Sequence, residues 1–509
     1  MSTASQSQAP AKTDDKLDRG VLLVAAVVVV GSIMAILDVT VVNVAIRTLA
    51  QDFHTQLTTI QWVVTGYTLA LATVIPLTGW GAERFGTKRL YVTSIVLFAC
   101  GSVLSGLAWS SGALIFFRVL QGLGGGMLMP VGMTILTQAA GPQRVGRVMA
   151  VIGVPMLLGP IFGPILGGWL VDGYSWRWIF FINVPIAVVA VTLSMRILPK
   201  DVTSRHERLD VLGLLLLSPG LAALIYGLAQ SSSKGGFGSA DVLVPALLGA
   251  AAIAAFVVHA LRKTNALIDL RLFANKVFSG SIVTLALLVI AVFGGMLLLP
   301  LYLQTVRGES ALHTGLLLAP QGLGAMLAMP IAGKLTDTTG VGRIVPVGLV
   351  IVGVGFVGLT QLHADTSYWL LAVWLFVLGL GMGATMMPTF SGAMQTLRRS
   401  DVARASTTLN IVQQASASIG TAVLSVLLAN ALADKLGLPA GGGSATGAIP
   451  PALRAKLAPP MSAAFGQTFW WALGMVAVAL VVATIVLPKK LPPNVDDDQT
   501  AAVPAAMLG

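Results

Sequence analysis

Long apolar runs dominate this chain of 509 residues, and they limit its fold more than any other feature does. Hydrophobic residues make up 56% of the sequence and charged residues only 10%, whereas soluble domains carry roughly 25% charged residues. A helix needs about 20 apolar residues to cross a bilayer. Runs of that length recur from Val21 to Pro488. The sequence therefore predicts an all-α polytopic membrane protein with about fourteen transmembrane helices.

The predicted spans form two groups of six with an extra pair between them. They begin near Val21, Thr58, Leu90, Gly112, Val145 and Trp178, then near Val211 and Val242, and then near Val277, Leu312, Ile344, Tyr368, Val402 and Phe469. The predicted organisation is a tail over 1–20, a six-helix half over 21–198, a linker with two inserted helices over 199–274, a second six-helix half over 275–488 and a disordered tail over 489–509. A long loop rich in Gly, Pro and Ala is predicted at 430–467, on the side away from the tails, with room for short interfacial helices at 431–436 and 451–458.

The basic residues are unevenly distributed. The chain has 31 Lys and Arg against 20 Asp and Glu, a net charge of +11. Most of these cations lie on alternate loops and on the two tails, and cytoplasmic loops are the ones that carry such an excess. The pattern predicts that both termini are cytoplasmic. It also accounts for the charge without a nucleic-acid partner.

One polar stretch that interrupts the apolar runs occurs twice. The following residues match in register: Pro76, Gly79, Glu83, Gly86 and Arg89 with Pro330, Gly333, Asp337, Gly340 and Arg343. A second repeat matches Gly122, Gly124 and Gly126 with Gly379, Gly381 and Gly383. Two related halves along one chain are typical of transporter folds.

Several motifs together carry a family resemblance. Residues 79–89 are similar to a signature between spans two and three, although Glu83 stands where Asp is usual and Thr87 where a basic residue is common. Residues 118–122 (Arg-Val-Leu-Gln-Gly) resemble a span-four signature with a buried arginine. Residues 159–168 (Gly-Pro-Ile-Phe-Gly-Pro-Ile-Leu-Gly-Gly) resemble an antiporter signature of span five. The longer form of that signature has a glycine where this chain has Ala150. Residues 37–45 are similar to the first-span signature of the fourteen-span group, and residues 176–185 to that group's start of span six. The chain thus resembles the major facilitator superfamily, and within it the fourteen-span drug:proton antiporters of the EmrB/QacA type.

The resemblance implies two six-helix halves plus two extra central helices. It implies multidrug efflux, in which hydrophobic or amphipathic drugs or related small molecules leave by alternating access in exchange for protons. The alternative is a proton-coupled carrier of a specific metabolite, either an exporter or an uptake symporter. The expected setting is a bacterial cytoplasmic membrane, with the proton gradient as energy source and no cofactor or metal. The expected partners are the lipid bilayer, protons and small hydrophobic or amphipathic substrates. The protein is expected to be a monomer, and accessory export proteins are compatible with this expectation. The spans lack a clustered nucleophile, base or metal-ligand set, so no enzyme activity is expected.

Asp38 lies inside the first span, and Arg118 is the one basic residue well inside a predicted span. A charge at that depth costs roughly 2.5–3.5 kcal/mol, so each is expected to face a partner or a cavity. The expected span boundaries place the two side chains at similar depth, where they can pair. Our hypothesis is that Asp38 carries the proton and Arg118 tunes or relays it; the alternative is a purely structural ion pair. The matching positions in the second half, Val292 and Leu375, are apolar, so proton coupling is predicted for the first half.

Two stretches are predicted to control the conformational change. Glu83 can accept hydrogen bonds from Arg84, from Arg89 or from backbone N–H groups at a neighbouring helix end, which would hold the cytoplasmic side closed. The alternative is that the basic residues only fix the topology. The glycines and prolines of span five allow close helix approach and kinks, with ordinary packing as the alternative. The candidate gating residues are Gly79, Glu83, Arg84, Gly86, Lys88, Arg89, Gly159, Pro160, Gly163, Pro164, Gly167, Gly168, Asp337 and Arg343.

Substrate contacts are expected in a central cavity between the halves. Met and aromatic side chains suit a promiscuous apolar pocket because they repack readily. For each residue taken singly, packing in the core or against lipid is the alternative. The candidate substrate-binding residues are Met34, Trp62, Tyr67, Gln121, Gln321, Met386, Phe390, Asn410, Gln413 and Gln414.

Overall fold

The computed structural model describes most of the chain as helix. The described residues are 18–55, 57–60, 62–141, 144, 148, 162–163, 166–171, 173–201, 209–230, 238–263, 266–309, 311–398, 401–437 and 451–488. Within these ranges there is no β-strand. The predicted all-α fold is confirmed.

The helices of the two halves flank the inserted pair. The first half contains α1 (Arg19–Asp52), α2 (Leu57–Ile60), α3 (Trp62–Val74), α4 (Leu77–Phe85), α5 (Thr87–Gly106), α6 (Ser111–Ala140), α7 (Trp178–Phe181) and α8 (Asn183–Ile197). The inserted pair is α9 (Val211–Ala229) and α10 (Ala240–Arg262). The second half contains α11 (Lys276–Leu301), α12 (Ala311–Thr339), α13 (Val341–Thr360), α14 (Tyr368–Gln395), α15 (Val402–Leu436) and α16 (Pro451–Val486).

Many of these helices are able to cross a membrane. Twelve among the described residues are long and apolar enough, and a thirteenth span results if α3 and α4, which meet at 56°, are counted as one. The bend falls at Pro76, which has no N–H to continue the helix and crowds the preceding turn. The span predicted to begin near Val145 falls mostly outside the described residues, so the total of fourteen stays a prediction.

The loop predicted at 430–467 is shorter than the sequence suggested. α15 continues to Leu436, where Gly437 ends it in the left-handed region with φ +66°. α16 begins at Pro451, well before the predicted start near Phe469. The flanking segments are rich in Ala and Leu, which favour helix, and Gly is the residue that most often terminates one. The short helices predicted at 431–436 and 451–458 are thus helical, but as continuations of α15 and α16 and not as separate elements.

The sequence repeat is also a structural repeat at the start of the third helix of each half. Gly86 and Gly340 precede α5 and α13 with φ +91° and +88°, a region that glycine enters without strain. The backbone N–H of Lys88 donates to Asp201 Oδ1 at 2.8 Å. In the second half, the backbone N–H of Gly342 donates to the carbonyl of Pro488 at 3.1 Å. In each half, the segment after the last helix caps this helix start.

The glycine-rich stretches of α6 and α14 pack in matching ways. A side chain on Gly124 would overlap the backbone of Phe98 on α5, and one on Gly381 would overlap the backbone of Val352 on α13. Because neither position has room for a Cβ, the helices of both halves approach to backbone contact. The two halves are copies of one packing arrangement.

The inserted pair lies along one seam between the halves. α9 packs against α3 of the first half and against α15 of the second. Leu217 and Leu221 of α9 share an apolar cluster with Ile75 and Ile411, one from each half. α9 therefore touches both bodies that an opening motion would separate.

Asp210 holds the inserted pair together where α9 begins and α10 ends. Its buried carboxylate accepts from the backbone N–H groups of Gly213 and Leu267 at 3.0 and 3.2 Å and from Lys263 Nζ at 2.8 Å. His259 Nε2 lies 2.9 Å away. Burial alone would raise the pKa of Asp210, but these hydrogen bonds outweigh it and lower the pKa to about 2. The start of α9, the end of α10 and the segment after it thus meet at one carboxylate.

We expect Asp210→Asn to lower the free energy of unfolding by roughly 2 kcal/mol at neutral pH, since each pKa unit corresponds to about 1.4 kcal/mol. The folded pKa of about 2 lies below the ordinary value of 3.8. The contribution is therefore complete above pH 3.8 and is lost as the pH falls through 2. Thermal unfolding of the purified protein should show a difference from wild type that shrinks between pH 5 and pH 2. Asp365→Asn, which removes an exposed carboxylate, is the control. Equal stability of Asp210→Asn and wild type at pH 7 would contradict the assignment.

Candidate functional site

A buried ion pair lies inside the first half. Arg118 Nη1 on α6 donates to Asp38 Oδ2 on α1 at 2.6 Å, and both side chains are fully buried. The predicted meeting of these two residues is confirmed. Helices α1 and α6 bring them together because the two helices pack against each other, with Gly132 of α6 against Val28 of α1.

Two amides complete the surroundings of the carboxylate. Gln121 Nε2 donates to Asp38 Oδ1 at 2.8 Å, and Asn183 Nδ2 on α8 donates to the same oxygen at 3.2 Å. Arg118 Nη1 also donates to Gln121 Oε1 at 2.8 Å. Asp38 therefore accepts from three side chains of two other helices. Asn183 was missed from the sequence, where its one available signal was an amide side chain two residues before Pro185 in an otherwise apolar span.

The guanidinium of Arg118 is fixed from its other sides. Its Nε donates to the carbonyl of Val63 at 3.2 Å. Its central carbon lies 4.0 Å from the centre of the Tyr67 ring, a favourable cation–π geometry. Asn183 in turn donates to Ser102 Oγ at 3.0 Å. The network thus joins α1, α3, α5, α6 and α8, which are five helices of one half.

Such a network responds strongly to protonation. A buried ion pair gains little net stability, but removing one partner leaves an uncompensated charge and costs about 3–5 kcal/mol. A proton on Asp38 cancels the carboxylate charge while Arg118 stays charged in a site without water access. The arrangement around Arg118 then has to change.

The second half has the same packing without the charges. Val292 and Leu375 occupy the positions that match Asp38 and Arg118, and both are buried in the apolar core. Phe356 takes the place of Ser102 and packs against Phe469 at 6.2 Å between ring centres. Among the described residues, the buried ion pair is confined to the first half.

This difference between halves suggests a test of the pair. We expect Arg118→Leu to destabilise the protein by roughly 3–5 kcal/mol, since it strands the Asp38 carboxylate. The double variant Asp38→Val/Arg118→Leu copies the residues of the second half and should recover most of that loss. Thermal unfolding checks both, with Arg177→Leu as a control because the Arg177–Asp52 pair is exposed at 3.8 Å and should contribute less than about 1 kcal/mol. A double variant as unstable as the sum of its single variants would contradict an isolated buried pair.

A second ion pair joins the two halves at one end of the bundle. We call this the basic end, since it carries Arg84, Lys88, Arg89, Arg343 and Arg404. Glu83 at the end of α4 accepts from Arg404 Nε and Nη2 on α15, both at 3.0 Å. This two-point contact bridges the first and second halves. The predicted donors were Arg84, Arg89 or backbone N–H groups at a neighbouring helix end, and Arg404 was not among them; Arg89 lies beside Asp201 at 3.9 Å.

Closer to the membrane interior, the start of α15 packs on the first half. Thr78 Oγ1 and Thr407 Oγ1 are 2.9 Å apart. Ser406 Oγ donates to the carbonyl of Pro130 on α6 at 3.0 Å. Gly79 lies against Thr407, where a Cβ would approach to 3.1 Å. The basic end is therefore closed by direct contact between the halves.

The remaining candidate gating residues have mainly structural contacts. Lys88 Nζ donates to the carbonyls of Met195 and Leu198 at 2.7 and 2.8 Å, where it satisfies the end of α8. Arg343 is exposed at the start of α13. Gly163 lies against Thr40 and Gly167 against Val41 of α1, while a side chain on Gly168 would meet no described atom. Gly159, Pro160, Pro164 and the side chain of Asp337 lie outside the described residues.

The candidate substrate residues of the first half lie in different surroundings. Met34 is fully buried, and Tyr67 and Gln121 belong to the ion-pair network, so a substrate has no access to these three in this conformation. Trp62 is 40% exposed and stacks on Tyr226 of the inserted helix α9 at 5.7 Å. The structure therefore does not gather these residues around one accessible surface.

The candidate substrate residues of the second half lie on α12, α14 and α15. Gln321 Nε2 donates to Met382 Sδ at 3.1 Å. Asn410 Nδ2 donates to the carbonyl of Ser406 at 2.8 Å, directly behind the contact with Pro130. Met386 and Phe390 are buried, and Gln413 and Gln414 are partly exposed on α15. Their roles in substrate binding stay predictions.

The contact between halves can be tested by cross-linking. With Cys100→Ser to remove the native thiol, Thr78→Cys and Thr407→Cys should cross-link readily, since the two hydroxyl groups are 2.9 Å apart. Arg404→Gln should lower the yield by roughly threefold or more, because it removes the two-point contact with Glu83. Arg343→Gln removes an equal charge at the same end and should leave the yield unchanged. If the cysteine pair cross-links equally well with and without Arg404→Gln, this ion pair does not hold the halves together.

Two related helical halves, a charge network buried in one of them and a closed contact between them define a membrane transporter of two-half architecture. A family model described as Major Facilitator Superfamily matches residues 28–421, which is most of the chain. The chain belongs to the Major Facilitator Superfamily.

Individual relatives agree with this assignment and with the predicted EmrB-type resemblance. The chain is 45% identical over 497 residues to the multidrug resistance protein B homolog of Mycobacterium tuberculosis (strain ATCC 25618 / H37Rv), covering 94% of this chain and 91% of the relative. It is 32% identical over 399 residues, 78% of each chain, to the multidrug export protein EmrB of Escherichia coli (strain K12). The solved structure of the proton:xylose symporter XylE matches 92% of this chain and 97% of its own with a TM-score of 0.61 and 14% identity, which shows a shared fold.

Proposed function

We propose that this chain is a proton-coupled exporter of hydrophobic or amphipathic compounds, driven by the proton gradient across the cytoplasmic membrane. The observation that carries the proposal is the fully buried Asp38–Arg118 pair, a titratable charge placed in one half of a two-half transporter. The names of the relatives support the substrate class, since they are called multidrug resistance and multidrug export proteins.

The charge distribution supports an orientation with the basic end and both termini in the cytoplasm. α16 ends at the basic end, since the carbonyl of Pro488 accepts from Gly342 at the start of α13. An even number of spans would bring both tails to that side. With the Glu83–Arg404 contact in place, this conformation is closed towards the cytoplasm. A compound in the central cavity would then have its exit on the opposite side.

Helix α6 links the proton site to this closed end. Arg118 and Gln121 of α6 hold Asp38, and Pro130 of the same helix accepts the hydrogen bond from Ser406. Twelve residues separate Arg118 from Pro130, about 18 Å along a helix. If α6 shifts when Arg118 rearranges, the carbonyl of Pro130 moves with it, and the contact between the halves changes directly.

The proposed cycle follows from this link. A proton arriving from outside neutralises Asp38, releases Arg118 from its partner and weakens the closed contact at the basic end. The halves then rock, the proton leaves to the cytoplasm, and a cytoplasmic compound enters. Loss of the proton restores the ion pair and the closed basic end. One carboxylate thus alternates between a proton and an arginine.

We expect Asp38→Asn to abolish substrate-driven proton movement in proteoliposomes, because an amide cannot exchange a proton at this site. A panel of lipophilic fluorescent compounds would be added under an imposed inward proton gradient, and the internal pH followed. Asp365→Asn is the matched control, since it makes the same change at an exposed position. Full coupling in Asp38→Asn would overturn the role of this residue. A wild-type protein that moves no protons with any compound would overturn the exporter proposal itself.

A further inference from the structure

A pocket of about 280 Å³ lies between α15 and α16, at the end of the bundle opposite the basic end. Its wall on α15 follows helical spacing, and its wall on α16 faces it across the cavity. The side chains that matter here are Leu427, Asn430 and Asp434 from α15 and Gln467, Thr468 and Trp471 from α16. The pocket is remote from the ion-pair network, since Asp38 lies on α1 of the other half.

Asp434 stands in an unfavourable place for helix stability. It lies in the last turn of α15, which ends at Leu436, where the helix dipole disfavours a negative charge. Its carboxylate is exposed and makes no hydrogen bond or ion pair in the described part of the chain. Neither the helix nor a neighbouring cation accounts for this acid. It is available to a ligand.

The depth of the pocket matches the headgroup region of a bilayer. Thirty residues of continuous helix separate Arg404 at the basic end from Asp434, about 45 Å at 1.5 Å per residue. A bilayer with its headgroups measures about 40–45 Å. Asp434 therefore lies at the level of the polar groups of the opposite leaflet, with apolar chains next to it.

The other side chains complement a cation on an apolar chain. Trp471 is 57% exposed and lines the same pocket as the Asp434 carboxylate. The amides of Asn430 and Gln467 also have no hydrogen-bond partner within the described ranges, and each can donate two. Leu427 continues the wall towards the membrane interior. Thr468 is already satisfied, since its Oγ1 donates to the carbonyl of Ala464 at 2.8 Å.

We propose that this pocket binds an ammonium-bearing amphiphile. The ammonium group lies between the Asp434 carboxylate and the Trp471 ring, which attract it by charge and by the cation–π interaction. The hydrocarbon chain follows Leu427 into the bilayer. In an aminophospholipid the phosphate next to the ammonium accepts from the amides of Asn430 and Gln467. This site does not depend on the proposed proton coupling.

Native mass spectrometry of the purified full-length protein tests the site. The probes are phosphatidylethanolamine, which has both ammonium and phosphate, phosphatidylglycerol, which has only phosphate, and dodecylamine, which has only ammonium. We expect wild type to bind phosphatidylethanolamine in preference to phosphatidylglycerol. Asp434→Asn should weaken binding of the two ammonium probes by roughly three- to tenfold, because it removes their charged partner. Asp365→Asn, an exposed acid in the loop between α13 and α14 at the same end, is the control and should change nothing.

A second variant distinguishes the two sources of such a ligand. If the pocket is a lipid site, Asn430→Leu/Gln467→Leu should weaken the binding of phosphatidylethanolamine and leave the binding of dodecylamine unchanged. Dodecylamine binding that depends on Asp434, without a preference for phosphatidylethanolamine over phosphatidylglycerol, would instead assign the pocket to lipophilic amines. Both results support an ammonium site. Binding of every probe that is equal in wild type and Asp434→Asn would overturn it, and thermal unfolding of each variant confirms that the fold is retained.

Discussion

The charge of Arg118 in the interior of the first half is the constraint on which the rest of the site depends. A guanidinium keeps its charge under all physiological conditions, so a structure that buries it has to supply an anion and further acceptors. Asp38, Gln121, the carbonyl of Val63 and the Tyr67 ring meet that demand from three helices. Their positions are therefore tied to one another. Any event that changes the charge of Asp38 changes the whole arrangement, and α6 extends from it to the contact with α15.

The internal repeat preserves the backbone geometry of the two halves but not the charged residues of the first half. Gly86 and Gly340 adopt the same backbone conformation, and Gly124 and Gly381 allow the same close helix contacts. These features occur in both halves. Among the described residues, the charge network occurs in the first half alone. Duplicating it would bury a second arginine at high cost.

The sequence predicted those features that depend on composition and on local pattern. The apolar runs indicated the helices, the rarity of charge inside a span indicated Asp38 and Arg118, and the repeated loop indicated two halves. Contacts between distant residues could not be obtained in this way. Arg404 had the pattern of a cation that fixes topology, and nothing in the sequence connects it with Glu83, 321 residues away. Tyr67 and Gln121 were assigned to substrate binding because a polar residue in a span has the same signature whether it faces a cavity or a buried charge. The helix predicted at 431–436 is continuous with α15, and this continuity was missed because a stretch rich in Gly and Pro, which begins only after it, dominated the interpretation.

Protonation of Asp38 and opening of the basic end are coupled in the proposed cycle, and a distance measurement across that end tests the coupling most directly. Spin labels at Met195→Cys and Thr338→Cys, both exposed at the basic end and on different halves, report the separation in a Cys100→Ser background. Asp38→Asn mimics the protonated acid. If the ion pair holds the basic end closed through α6, this variant shifts the distance distribution towards longer values relative to wild type at neutral pH. A distribution identical to that of wild type would contradict the coupling, and the Asp38–Arg118 pair would then be a structural element of the first half alone.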